Sequence, residues 1–275
     1  MTRPMRMLSR TAIVGLAVYV GLSLYLYVFQ TRYIYYPDLP SREVDASPRD
    51  VDLPFESLKI STGDGETLDG WFVPAPAATK TLLYLHGNGG NIGHRVDLIR
   101  TFHSLGLNVL IFDYRGYGRS TGKPGEEGTY RDALAAWNHL TQERRIPAEH
   151  IVLYGESLGG SIAAWLAERH TPHALVIYAA FTSIRDIAAV LYPYLPTVLL
   201  ARYRYDTKAA LARVRCPVLI LHSTEDEIIP YRHAQELLEV APAPKKLVAL
   251  RGGHNDAVFV SDHAFEQALK EFLAK

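Results

Sequence analysis

Three residue types able to do acyl chemistry stand at the ends of apolar runs. Ser157 lies in Gly155-Glu156-Ser157-Leu158-Gly159, after "IVLY" and before the helical pattern "LGGSIAAWLAER". A serine hydroxyl attacks an acyl carbon only when a base takes its proton. His254, after "KLVAL", supplies an imidazole that can take that proton and return it to a leaving group. Asp226, after "VLILHS", supplies a carboxylate that fixes the imidazole tautomer and stabilises the imidazolium. A Gly-x-Ser-x-Gly pentapeptide alone arises easily by chance. Here it follows a strand and opens a helix, the setting of a nucleophile elbow, where the Leu158 amide can donate to an oxyanion. A merely structural serine in a tight turn would leave the later acid and histidine unexplained. Glu225, Glu227 and Asp256 stand as alternative acids.

A rival chemistry rests on "HGNGGNIG", a glycine-rich stretch between a strand and a helix, with Asp113 ending the next strand. Gly87, Gly89 and Gly93 approximate a dinucleotide-binding spacing. Against it, the loop follows a hairpin and does not close the first strand, and the chain has no Tyr-x-x-x-Lys pair. His86 is expected to shape its loop by a hydrogen bond. Arg115 is expected to brace a turn, or else to meet a substrate carboxylate. Glu156 reads as a partly solvated elbow residue. The 11 histidines form no His-Glu-x-x-His cluster, and Cys216 is the single cysteine. No metal, cofactor or internal disulfide is expected.

The elements that must position these residues are legible as alternating patterns. "FESLKIST" and "LDGWFVPA" read as a hairpin around "GDGE". Apolar strands "TLLYLHG", "LNVLIFDY", "IVLYGES", "ALVIYAA", "PVLILHS" and "KLVALRG" then alternate with amphipathic helices. That pattern predicts an α/β fold, a mostly parallel sheet covered on both faces, with ligands bound at the carboxyl ends of the strands. Residues 181–214 interrupt the alternation as a short, irregular, cap-like insertion. Pro193 and Pro196 break any long helix there, so a partial roof is expected.

The N-terminus is organised differently. Residues 1–10 carry Arg3, Arg6 and Arg10, and residues 11–31 hold no charge. A transmembrane helix needs about 20 apolar residues. Tyr25, Tyr27, Tyr33, Tyr35 and Tyr36 resemble an interfacial belt, and the arginines predict a cytoplasmic N-terminus with the bulk of the chain on the outer, periplasmic or lumenal side. A cleaved signal would have a shorter apolar core and a small-x-small site. Residues 32–54 read as a linker to a domain over 55–275, so residues 1–36 are expected to be dispensable for folding and activity. With 29 basic and 29 acidic residues, nothing points to nucleic acid, and no obligate protein partner is expected.

The blocks "LYLHGNGGNIGHR", "FDYRGYGRSTG", "YGESLGG", "HSTEDEIIP" and "GGHND", in this order, resemble the α/β-hydrolase superfamily over residues 55–275. More narrowly they are similar to single-pass, membrane-anchored serine hydrolases of the depalmitoylase-like kind, with serine aminopeptidase-like hydrolases nearby. The resemblance implies Ser157 as nucleophile, His254 as base and acid, and Asp226 as its orienting carboxylate. It also implies an oxyanion hole from the amides of Asn88 and Leu158. Phe181, Tyr192 and Ile228 are the expected substrate contacts. The expected substrate is a small or lipid-like acyl ester or thioester. A peptidase, or a non-catalytic binding protein on the same fold, stays open.

Overall fold

A computed structural model describes residues 3–274 of the chain. Met1, Thr2 and Lys275, which belong to the expected basic N-terminus and the end of the domain, lie outside the described residues. Eight strands form one sheet: β1 (Glu56–Ser61), β2 (Thr67–Val73), β3 (Lys80–Leu85), β4 (Leu107–Phe112), β5 (Ile151–Glu156), β6 (Ala174–Tyr178), β7 (Val218–Ser223) and β8 (Lys245–Leu250). Their order is β1-β2-β4-β3-β5-β6-β7-β8, antiparallel at β1–β2 and β2–β4 and parallel elsewhere. The predicted hairpin pairs Glu56 with Phe72 and Ser61 with Thr67.

The helices are α1 (Arg3–Phe29), α2 (Thr31–Ile34), α3 (Val96–Ser104), α4 (Glu126–Asn138), α5 (Leu158–Arg169), α6 (Ile184–Leu191), α7 (Thr197–Leu200), α8 (Thr207–Leu211), α9 (Arg232–Val240), α10 (Ala257–Val260) and α11 (Asp262–Leu273). Side chains of α4, α5, α8 and α9 cover one face of the sheet, and those of α3, α10 and α11 cover the other. Strands β5, β6 and β7 are therefore shielded on both sides, and this is why they read as nearly continuous apolar runs. The chain leaves β3 for β4 on one side, and β5 then pairs on the other, with Leu85 beside Gly155. The loops after β3 and β5 diverge at that point and open a crevice at the carboxyl edge.

Two regions depart from the sequence expectation. Residues 181–214 are not irregular but hold α6, α7 and α8, with Ser183 capping α6 through a bond from the Asp186 amide at 3.1 Å. The stretch 32–54, expected as a linker, is packed on the sheet domain. Tyr35 is 3% exposed, its hydroxyl 2.7 Å from that of Tyr205, and Val44, Ala46, Val51 and Leu53 pack against the core beneath α3. Prolines and polar residues conceal these apolar contacts, because they occur singly and without a period. Helix α1 contains the expected span; its stretch Arg10–Phe29 has a mean hydropathy of 2.1. Ile13, Val14, Leu16 and Val18 on it are exposed.

Candidate active site

Ser157 follows β5 directly and precedes the first residue of α5. Its backbone takes φ 52°, ψ −114°, a conformation that side chains rarely adopt and that lifts the residue above the strand end. The glycines flanking it make such a turn possible. A Cβ on Gly159 would lie 2.0 Å from the Leu85 carbonyl, and one on Gly155 would lie 2.4 Å from the Gly159 carbonyl. The glycines thus let α5 close onto β3 and β5.

His254 and Asp226 arrive from the loops after β8 and β7. His254 Nε2 is 3.2 Å from Ser157 Oγ, and His254 Nδ1 is 2.7 Å from Asp226 Oδ2. The three expected residues are brought together in the order proton donor, imidazole, carboxylate. The other acids point elsewhere: Glu225 accepts from Arg251 and from the Gly252 amide, and Glu227 accepts from the His254 amide at 3.0 Å. Asp226 alone meets the ring. Its Oδ1 accepts from the amides of Ile228 at 2.9 Å and Ile229 at 2.7 Å. Burial opposes its charge, yet hydrogen bonds from His222 and His254, the His254 charge and the Ile229 amide outweigh burial and hold the carboxyl well below the usual carboxylate range.

Asn88 and Leu158 border the cavity in front of Ser157. The Leu158 amide is at the start of α5, where no carbonyl of an earlier turn claims it. Asn88 is held from an unexpected direction. Its carbonyl accepts from the Tyr36 amide and the Tyr117 hydroxyl, both at 2.9 Å, and its Nδ2 donates to the Ile34 carbonyl at 3.0 Å. Asn91 Nδ2 donates to the carbonyls of Ser41 and Glu43. Ile34, Tyr36, Ser41 and Glu43 therefore tie residues 34–43 against the glycine-rich loop.

Beneath the loop, burial pushes the Asp113 carboxyl up to about 8 and the His86 imidazole down to about 3. The two lie 3.6 Å apart, and burial disfavours the charged form of each. His86 shapes its loop as expected, through Nδ1 and the Gly87 carbonyl at 2.8 Å. Arg115 braces a turn: it donates to Asp64 at 2.8 and 3.1 Å and to Asp132 at 2.9 Å. Glu156 is tied more firmly than a solvated elbow residue, pairing with Arg95 at 3.2 Å and accepting from the Tyr84 hydroxyl.

The cavity above Ser157 measures about 590 Å³, within the range usual for small-molecule sites. Phe181, Tyr192 and Ile228 all line it. So do Leu26, Gln30, Tyr33 and Ile34, which sequence reasoning assigned to the anchor and the linker. Among the described residues that line it there is no Asp, Glu, Lys or Arg.

The geometry accords with the comparisons to known proteins. Residues 80–196 match the family model described as the alpha/beta hydrolase fold. The Arabidopsis thaliana "Alpha/beta hydrolase domain-containing protein WAV2" is 34% identical over 83% of this chain and 80% of its own. This chain belongs to the α/β-hydrolase family. A second relative, the Saccharomyces cerevisiae "Uncharacterized membrane protein YNL320W", is 31% identical over 90% of each chain. Among solved structures, the Pyrococcus furiosus esterase Pf2001 superposes with a TM-score of 0.71 at 22% identity, covering 84% of this chain and 93% of that one, a likeness of fold.

Within this α/β-hydrolase, sequence reasoning missed His222, whose Nε2 lies 3.3 Å from Asp226 Oδ2 and 2.8 Å from the Ile229 carbonyl. One signal was present: a histidine in an otherwise apolar strand, four residues before the acid. The roles of Tyr36 and Gln30 had no such signal, because they depend on contacts with residues far along the chain.

Proposed function

We propose that this protein is a membrane-anchored serine hydrolase that cleaves esters or thioesters of apolar acyl groups. The observation that carries this reading is the contact chain Ser157 Oγ, His254 Nε2, His254 Nδ1, Asp226 Oδ2, opening into an uncharged cavity. In the reaction His254 takes the hydroxyl proton as Ser157 Oγ bonds to the acyl carbon. The amides of Asn88 and Leu158 receive the developing oxyanion. Collapse of the tetrahedral adduct expels the alcohol or thiol, which takes the proton from His254, and leaves an acyl-serine. Water, deprotonated by His254, then attacks the acyl-serine; the acyl–Oγ bond breaks, His254 returns the proton to Ser157 Oγ, and the acid is released. Asp226 stays ionised throughout and stabilises the imidazolium.

The lining supports an ester over an aminopeptidase substrate. A free amino terminus needs a carboxylate partner, and the cavity offers none. The anchor reading is supported by the continuity of α1 with the domain. Gln30 Oε1 accepts from the Arg202 amide at 2.9 Å, and Thr31 Oγ1 is 2.8 Å from the Tyr203 hydroxyl. A cleaved leader would leave those contacts empty. The arginines before the span favour an outer position for the domain. Protease added from the cytoplasmic face should therefore spare it.

A fluorophosphonate probe tests the chemistry, since it reacts only with an activated serine. Full-length protein in detergent should be labelled, and Ser157→Ala should abolish the label. A folded wild-type chain that takes up no probe would falsify the proposal.

A further inference from the structure

One wall of the cavity over Ser157 is supplied by the apolar N-terminal helix and not by the sheet. Leu26 and Gln30 line the cavity together with Leu195 and Leu200 of the insertion. Gln30 spans the two, donating to the Leu200 carbonyl and accepting from the Arg202 amide. From this junction the segment of residues 192–200, a turn followed by α7 and hereafter the loop, runs back alongside α1, and the Tyr19 hydroxyl donates to the Tyr194 carbonyl at 3.0 Å. Tyr19 lies eleven residues before Gln30, about 16 Å along a helix. It sits inside the stretch Arg10–Phe29, which is long and apolar enough to cross a bilayer. Whatever surrounds that part of α1 also surrounds the loop.

The side chains of the loop suit hydrocarbon. Tyr194, Val198 and Leu199 are 89%, 66% and 81% exposed, and none of them lines the cavity. Turned to water, such a cluster is costly. Turned to lipid, it is at home, and the Tyr19 hydroxyl gives the Tyr194 carbonyl the partner that a non-aqueous medium demands. Charge appears only at the base of the loop. Arg202 lies 5.5 Å over the Tyr27 ring, and Arg32 lies 5.2 Å over Phe29. Guanidinium groups against an aromatic belt mark the level of lipid headgroups.

We propose that the loop of residues 192–200 is immersed in the leaflet on the domain side, and that the cavity receives its substrate laterally from the bilayer. This rests on the ester-hydrolase reading and deepens it: the substrate is an ester lipid whose acyl chain enters between α1 and the insertion. The ester carbonyl reaches Ser157 while the chain stays in an apolar environment throughout.

The test uses the full chain in lipid nanodiscs. A nitroxide attached to Leu199→Cys (native Cys216 being buried) should be more accessible to oxygen than to a water-soluble nickel chelate. The opposite order overturns the immersion, whatever the enzyme hydrolyses. In parallel, the double variant Val198→Asp/Leu199→Asp should cleave p-nitrophenyl acetate from water at the wild-type rate. Its cleavage of a palmitoyl glycerol ester in the disc should fall at least about tenfold, because acidic groups are strongly disfavoured in hydrocarbon. Unchanged cleavage of both esters overturns lateral delivery. A wild-type chain that cleaves neither ester defeats the esterase reading and the delivery route with it, while the nitroxide still decides the immersion.

Discussion

The floor and the roof of this site are built in different ways. The floor stands on the ends of strands shielded on both faces, and the proposed acid and base are each fixed by several hydrogen bonds: Asp226 by two amides and two histidines, His254 by Asp226 and Glu227. The roof is made of short helices with large exposed side chains and the end of one apolar helix. Under the proposed mechanism, the contrast predicts that reactivity and substrate choice reside in separable parts. A lesion in the floor should abolish turnover of every ester, whereas a lesion in the roof should change which esters are accepted.

The strongest way to sharpen that division is to remove the reacting groups. Ser157→Ala and His254→Ala should each lower turnover by roughly 10⁶-fold, and Asp226→Asn by about 10⁴-fold, with short and long esters equally affected. Circular dichroism should be unchanged. Substantial residual activity in folded Ser157→Ala would remove the nucleophile assignment.

Two truncations test where floor and roof meet. A chain starting at Gln30 retains Tyr35 under the core and the Tyr36 bond to Asn88. It should hydrolyse short esters well while losing long-chain preference. A chain starting at Pro37 loses that bond beside the oxyanion site and should be slower on all esters by about 10–100-fold. This revises the expectation that residues 1–36 are dispensable. Equal kcat/KM for the two chains on p-nitrophenyl acetate would show that the Tyr36 contact does not position Asn88.

His222 gives a smaller, purely positional effect. His222→Leu deprives Asp226 of one donor, so kcat should fall about tenfold while KM holds. Activity at the acid end should also disappear at higher pH than in the wild type. An unchanged pH profile would assign His222 to packing alone.

The smallest effect concerns stability. Burial raises the Asp113 carboxyl to about 8 in the folded chain, against about 3.9 unfolded. Between those values the folded state holds more protons, so its contribution is present below the lower value and is lost as pH rises towards the upper one. Asp113→Asn retains an acceptor for the Ile92 amide but cannot titrate. Relative to the wild type, its Tm should therefore rise between pH 5 and pH 8; a constant difference would contradict the shift.

The floor was legible in the sequence because its signals are local. An apolar strand ending in a glycine-framed serine is visible within ten residues, and the two later loops repeat the same grammar. The hairpin, the parallel strands and the helices between them follow from periodicity. The roof was legible only as an interruption. Its helices are four to eight residues long, too short for a period to show. Nothing local marks Tyr36 as the partner of Asn88 or Gln30 as the partner of Leu200. Those pairings join positions 52 and 170 residues apart. The polar, proline-rich character of 32–54 actively suggested a free linker, since its apolar residues are scattered.

Ser157 carries a consequence for how activity is kept or lost. Holding a residue with a side chain at φ 52°, ψ −114° costs about 1–3 kcal/mol, and every folded molecule bears that load with or without substrate. Elsewhere alanine is preferred to glycine in a folded chain by about 0.5–1 kcal/mol. At this one position the order should invert, with the inactive Ser157→Gly chain more stable than the equally inactive Ser157→Ala chain. A lineage released from the need to hydrolyse anything would thus find glycine waiting at the elbow, and a persistent serine there is maintained against the pull of stability.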